Sequence, residues 1–116
     1  MKDNNKLLEQ INELKKKIII VEGKKDKIAL EELGLKNIIT LSKKPIYKII
    51  EEVSEKNKEV VILTDLDKEG KQLFGKLNQG LQYHGVKVDN KFRLFLFKET
   101  KLRQIEGMGK YLDRNP

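Results

Sequence analysis

The amino-acid sequence predicts an α/β fold: a three-layer sandwich with a mostly parallel four-stranded sheet between helices, and one extra helix at the N-terminus. Three observations lead there. Short β-branched runs alternate with amphipathic stretches of about 10–15 residues, the pattern of parallel βαβ units. The runs Ile18-Ile19-Ile20-Val21 and Val60-Val61-Ile62-Leu63 are apolar at every position, as strands covered on both faces must be. Both then run into acidic turns with a glycine, Glu22-Gly23-Lys24-Lys25-Asp26 and, after Thr64, Asp65-Leu66-Asp67-Lys68-Glu69-Gly70.

Each element follows from local pattern. From Asn4 to Lys16, Leu7, Leu8, Ile11 and Leu14 share one helical face, with Asp3 or Asn4 as cap. Lys17 to Val21 reads as the first strand. A helix from about Lys25 to Leu33 presents Ile28, Ala29, Leu30 and Leu33, and Gly34 is placed to stop it. Asn37 to Leu41 is the second strand. Ser42 and Pro45 open the next helix, whose stripe is Ile46, Ile49, Ile50 and Val53. Val60 to Leu63 is the third strand, followed by a helix from Glu69 to about Tyr83 that buries Leu73, Phe74, Leu77 and Leu81. Phe92 to Phe97 is expected to be the fourth strand, and Leu102, Ile105 and Leu112 mark a short tail helix interrupted by Gly107 and Gly109. Right-handed crossovers give the strand order 2-1-3-4, which sets strands 1 and 3 side by side at the switch point. The chain divides as one domain over 1–116: the N-terminal helix at about 4–16, a core at about 17–97 and a basic tail at 98–116.

Composition narrows the function. The 116 residues suit a single core without staples. With no cysteine, a disulfide framework and a thiolate site are excluded. The polar N-terminus and the shortness of the apolar runs argue against a signal core or membrane span, so the expected location is cytoplasmic with no membrane partner. Lys and Arg number 25 against 18 Asp and Glu, for a net charge of +7, which points to a polyanionic partner. The excess is segregated. Residues 23–48 hold seven lysines against three acids, and residues 87–116 hold eight basic residues against four acids, while 49–86 holds five lysines against seven acids. Aromatics at 6% argue against base-stacking recognition of single strands, leaving shape-and-phosphate binding to duplex or folded RNA.

The two acidic turns carry the chemistry. If strands 1 and 3 are parallel neighbours about 4.8 Å apart, Glu22, Asp65 and Asp67 meet at their carboxyl ends. Two carboxylates about 5 Å apart at an effective dielectric of about 20 repel by roughly 3 kcal/mol, so the site calls for a cation. Oxygen-only ligands suit a hard ion, Mg²⁺ with Mn²⁺ as substitute. Taken singly, Glu22 and Asp65 also read as helix caps or first-turn acids, and Asp67 as a solvated loop residue.

Glu22-Gly23 with Asp26 four residues after the glutamate, and Asp65-Leu66-Asp67 with Gly70 three residues later, each after a strand, resemble the Toprim domain. Within that family the resemblance is to the ribonuclease that matures 5S ribosomal RNA, to bacterial-type primase and to small stand-alone archaeal Toprim proteins. It spans roughly Lys17 to Phe97 and implies a Toprim/Rossmann-like sandwich. It further implies that Asp65 and Asp67 hold Mg²⁺, and that Glu22 acts as general acid/base or completes the metal shell. Gly23 and Gly70 would let the backbone pass close to phosphate or metal. Asp26, Glu69 and Glu106 are accessory acids, Glu106 by the likeness of Gln104-Ile105-Glu106-Gly107 to a glutamate after the maturase's last strand. Lys24, Lys25, Lys43, Lys44, Lys68, Lys71 and Arg103 are the expected phosphate-binding residues. The implied function is Mg²⁺-dependent binding of nucleic acid, with phosphodiester hydrolysis in structured RNA or DNA. The alternative is a non-catalytic binding module that works with a protein partner. The chain departs from those relatives in lacking the primase zinc domain, a topoisomerase tyrosine domain and the maturase's C-terminal domain. Four strands and Glu22-Gly23, in place of an acid pair, argue against a phosphoacceptor receiver domain.

Overall fold

A strand presents successive side chains to opposite faces, so a sheet sandwiched between helices needs apolar residues at consecutive positions. In the computed structural model, which describes residues 4–42 and 44–114, the two all-apolar runs meet that demand at the centre of the molecule. The order of elements is α1 (Asn4–Leu14), β1 (Ile19–Val21), α2 (Lys24–Glu31), β2 (Ile38–Thr40), α3 (Ile46–Lys56), β3 (Glu59–Ile62), α4 (Lys68–Tyr83), β4 (Lys87–Asp89) and α5 (Lys91–Glu99). A 3₁₀ turn (Ile105–Gly107) and α6 (Met108–Arg114) follow. The sheet is parallel throughout and ordered β2-β1-β3-β4, as expected for right-handed crossovers. Ile19 and Ile20 of β1 register with Val61 and Ile62 of β3.

Two cores result. Ile19, Val21, Val61 and Leu63 face Leu7, Ile11 and Leu14 of α1, Leu30 of α2, Phe92 and Leu96 of α5, and Ile105 and Met108 of the tail. Ile20, Val60 and Ile62 face Ile49, Ile50 and Val53 of α3 and Leu77 and Leu81 of α4. The predicted helices stand, with small shifts of their ends. Pro45 is the N-cap of α3, not a first-turn residue, and α4 starts at Lys68. The cap assigned to Asp3 lies outside the described residues, as does the side chain of Asn4.

The fourth strand is not where its sequence pattern put it. Phe92 to Phe97 is helix α5, and the strand is Lys87–Asp89, paired with β3 through Glu59↔Lys87, Val60↔Val88 and Val61↔Asp89. Phe92-Arg93-Leu94-Phe95-Leu96-Phe97 is apolar at nearly every position and therefore satisfies both periods. The helix buries Phe92, Arg93 and Leu96 and leaves Leu94 52% and Phe97 42% exposed. An edge strand of three residues needs little apolar surface, so Lys87-Val88-Asp89 gave only a weak signal. The tail is an integral part of the globule: Ile105 and Met108 are fully buried. Among the described residues no helix is long and apolar enough to cross a membrane.

Candidate metal and nucleic-acid site

The site is built where two ladders run out. Val61 N–H donates to Ile18 O at 2.8 Å and Leu63 N–H to Ile20 O at 2.7 Å. The next donor of that parallel ladder, Asp65 N–H, meets the Glu22 side chain instead, donating to Oε2 at 2.7 Å. Glu22 thus occupies the place of a backbone carbonyl, and the acids of β1 and β3 are locked together across 43 residues of sequence. On the other side β4 has already turned into α5, and the Thr64 and Asp65 carbonyls have no strand partner. Buried backbone acceptors must be satisfied. Arg93 of α5 does this, donating from Nη1 to Thr64 O and from Nη2 to Asp65 O at 2.9 Å, with its guanidinium 4.6 Å from the centre of the Phe74 ring.

Each acid is held by a backbone N–H. Asp65 Oδ1 accepts from Ile105 N at 2.9 Å, which ties the tail to the site. Asp67 Oδ1 accepts from Gly70 N at 2.8 Å as N-cap of α4, so the cap is Asp67, expected on the alternative reading to be a solvated loop residue, and not Glu22 or Asp65. Asp26 Oδ2 accepts from Gly23 N at 3.0 Å at the start of α2. Leu66 N donates to Arg103 O at 2.7 Å, and Thr64 Oγ1 to Gly70 O at 2.7 Å. Gly70 is required by the fold: a Cβ there would lie 2.0 Å from the Asp65 carbonyl oxygen. The close approach is to the protein's own backbone. At Gly23 a Cβ would meet nothing within 4 Å, so the fold itself sets no steric demand there.

The crevice holds more negative charge than it neutralises. Burial pushes the Glu22 carboxyl above the usual range, the Asp65 N–H draws it back, and the charges of Asp65, Asp26 and Asp67 raise it further. Asp65 is likewise raised, first by burial and then by Asp67 and Glu106, against the Ile105 N–H and the Arg93 charge. Asp26 is raised by burial and by Asp65 and Glu106. Arg93 is the buried counter-charge. Burial lowers its pKa while Glu22, Asp65 and Asp67 oppose that, but its hydrogen bonds go to carbonyls, and among the described residues these carboxylates make no ion pair.

These donors fit Mg²⁺ or Mn²⁺. Glu22, Asp65 and Asp67 each keep one oxygen on a backbone N–H and offer the other. Nitrogen ligands are remote, since His84 is the C-cap at the far end of α4. Among the described residues no three carboxylate or imidazole groups converge on one closed set of ligands. An open site suits Mg²⁺, which keeps several waters and is held by one or two carboxylates with substrate phosphate completing the shell.

The remaining predicted residues fall into distinct positions. Glu106 comes to the acids through the tail, close enough to raise Asp26 and Asp65. Glu69 is exposed in the first turn of α4. Lys24 and Lys25 are exposed in the first turn of α2, and Lys68 at the first position of α4. Lys71 and Arg103 converge on one ring, with Lys71 Nζ 4.7 Å and Arg103 Cζ 5.0 Å from the centre of Phe97. Lys44 pairs with Glu52 of α3 at 2.9 Å. Lys43 lies outside the described residues. Arg93 is the residue that sequence reasoning missed as a site element; assigned to a strand, it gave no reason to face the acids. The available signal was an arginine inside an otherwise apolar run, which a buried partner must explain.

Comparison with known proteins agrees with this geometry. The Toprim domain matches residues 16–90. A UPF0292 protein of Methanocaldococcus jannaschii is 40% identical over 117 residues, covering 94% of this chain and 91% of the relative. A UPF0292 protein of Pyrococcus abyssi is 42% identical over 91 residues, covering 78% of this chain and 67% of its own. A solved structure, a putative protein from Aquifex aeolicus, superposes with a TM-score of 0.80 at 39% identity over 86% of this chain and 95% of that one. With both acidic turns at the ends of adjacent parallel strands and the match spanning the whole sheet, this chain belongs to the Toprim domain family, whose general theme is Mg²⁺ binding and nucleic-acid chemistry.

Proposed function

We propose that this protein is a Mg²⁺-dependent phosphodiesterase acting on structured RNA or DNA, with Mn²⁺ able to replace Mg²⁺. The observation that carries this reading is the Glu22–Asp65 lock: two carboxyl groups whose proton affinity is raised, fixed by backbone N–H groups in an open crevice. Asp65 and Asp67 would hold the metal, with Glu22 beside them. Bound there, it would supply charge neutralisation at the phosphodiester. Glu22 has one oxygen on the Asp65 N–H, which fixes the carboxyl and leaves the other oxygen to serve as a positioned acid/base. In hydrolysis a water oxygen bonds to phosphorus and the bond to the leaving oxygen breaks. Glu22 takes the proton of the water, and the leaving oxygen takes one from solvent, giving a phosphomonoester and a hydroxyl; Glu22 then returns its proton to solvent. Lys24, Lys25, Lys68, Lys71 and Arg103 would bind phosphates on either side. The resemblance to the 5S maturase favours RNA over DNA.

A second reading, a binding module that presents nucleic acid to a partner protein, draws on one specific fact. All three acids already serve the fold by accepting a backbone N–H. Glu22→Gln separates the two readings, because the glutamine oxygen still accepts from Asp65 N–H while the basic carboxylate is lost. Single-turnover cleavage of a structured RNA should fall by about 10²-fold or more, with equilibrium binding unchanged within about twofold. Wild-type protein that binds tightly yet never cuts across Mg²⁺ and Mn²⁺ concentrations establishes the binding module instead.

A further inference from the structure

The tail builds a second feature next to the acids. Lys101, Arg103, Lys110 and Tyr111, with Leu102 and Gly107 between them, line an open cleft of about 510 Å³ that also includes Asp67. Three cations and a partly apolar floor thus lie beside a candidate metal ligand. The Arg103 side chain is held in place: Nη1 donates to Leu102 O at 2.8 Å and to Thr100 O at 3.3 Å, and the guanidinium lies against Phe97. Its main-chain carbonyl accepts from Leu66 N, so the cleft wall is tied to the acidic loop itself. Among the described residues neither Lys101, Arg103 nor Lys110 makes an ion pair, so the charge is available to an anion. The whole feature lies in residues 101–111 apart from Asp67, beyond the 16–90 span of the Toprim match.

We infer that this cleft receives one nucleotide of a single-stranded segment, with its phosphate on Lys101, Arg103 and Lys110 and its sugar and base over Leu102 and Tyr111, so that the adjoining phosphate comes to the Asp67 end. Three features select that ligand. The volume lies within the range of sites for small organic molecules, roughly 300–1,000 Å³, which suits one unit of a strand. The mixture of fixed cations and apolar floor matches a nucleotide better than a bare phosphate. The scarcity of aromatics excludes a platform for successive bases, but a one-unit cleft needs only one ring. The protein would then act at a single-stranded end or loop of a structured nucleic acid. This inference rests on the nucleic-acid reading above and deepens it.

The test uses the full chain in EDTA, so that binding is read apart from metal and catalysis, with fluorescence anisotropy of two probes: a single-stranded RNA pentanucleotide and a blunt RNA hairpin closed by a tight tetraloop. Lys101→Ala/Lys110→Ala, two exposed substitutions that leave the core intact, should weaken the pentanucleotide by about tenfold or more and the hairpin by less than about threefold. Lys24→Ala/Lys25→Ala should show the opposite bias. Equal losses for both probes in the tail variant, or none, overturn the cleft and leave the nucleic-acid reading standing. Wild-type protein that binds neither probe, in EDTA or with Mg²⁺ restored, overturns both.

Discussion

Charge is handled in opposite ways at the two ends of the central strands. Before β1, Lys17 reaches across the sheet to Glu59 at 3.1 Å and Asp89 at 3.4 Å, one ammonium between two carboxylates. After β1 and β3, Glu22, Asp65 and Asp67 gather around the buried Arg93, which spends its hydrogen bonds on carbonyls, with Asp26 and Glu106 adding their charge to the cluster. Pairing at the first end serves stability. Crowding at the second opposes stability, the pattern of a functional site that trades stability for binding, as the proposed metal site would. The backbone around the acids is correspondingly over-determined, with four backbone N–H groups and two guanidinium nitrogens fixing the turns.

The sharpest way to break this contrast is to remove the arginine. Arg93→Met keeps much of the volume but strands the Thr64 and Asp65 carbonyls and leaves the acids without their counter-charge. Chemical denaturation should show a loss of about 3 kcal/mol, since buried groups left unsatisfied cost about 1–3 kcal/mol each. A loss below about 1 kcal/mol would mean that the clamp is incidental.

A smaller effect of opposite sign sharpens the comparison. Asp65→Asn retains the acceptor for Ile105 N–H and relieves the repulsion, so the metal-free protein should gain stability, by about 0.5–2 kcal/mol as is common when a functional strain is relieved. The same variant should lose Mn²⁺ binding in calorimetry. A variant that is less stable and binds Mn²⁺ as well as wild type assigns Asp65 a purely structural role.

The smallest effect belongs to the paired end. Lys17→Met should cost about 0.2–1 kcal/mol, the usual range for partly exposed pairs, and the cost should depend on pH. The Lys17 pKa is raised, by the Glu59 hydrogen bond above all, against partial burial. Its contribution is therefore complete below the ordinary lysine value and disappears as pH rises through the raised one. Burial raises the Asp89 pKa, but the Lys91 N–H and Lys17 outweigh it and hold the carboxyl below its usual range. That contribution is present above the ordinary aspartate value and disappears as pH falls through the lowered one. The gap between wild type and Lys17→Met should be constant from about pH 5 to 9 and shrink beyond either limit. A gap that widens at low pH would contradict the pairing.

Read without structure, the chain already determined its fold class, the parallel neighbours β1 and β3 and the acids at their ends. Those features are local: strands buried on both faces must be apolar at every position, and the turns that end them announce themselves by glycine and charge. Right-handed crossovers then leave few ways to arrange the strands. What only the tertiary structure decided depends on partners distant in sequence. Phe92 to Phe97 carries no decisive period, and packing on the sheet made it a helix while a short polar edge strand took its predicted place. The role of Arg93 rests on carbonyls 28 and 29 residues away, and the orientation of Asp65 on an N–H 40 residues away in the tail. No window of sequence contains both halves of such a bond, so the acids were legible from the sequence and the backbone that aims them was not.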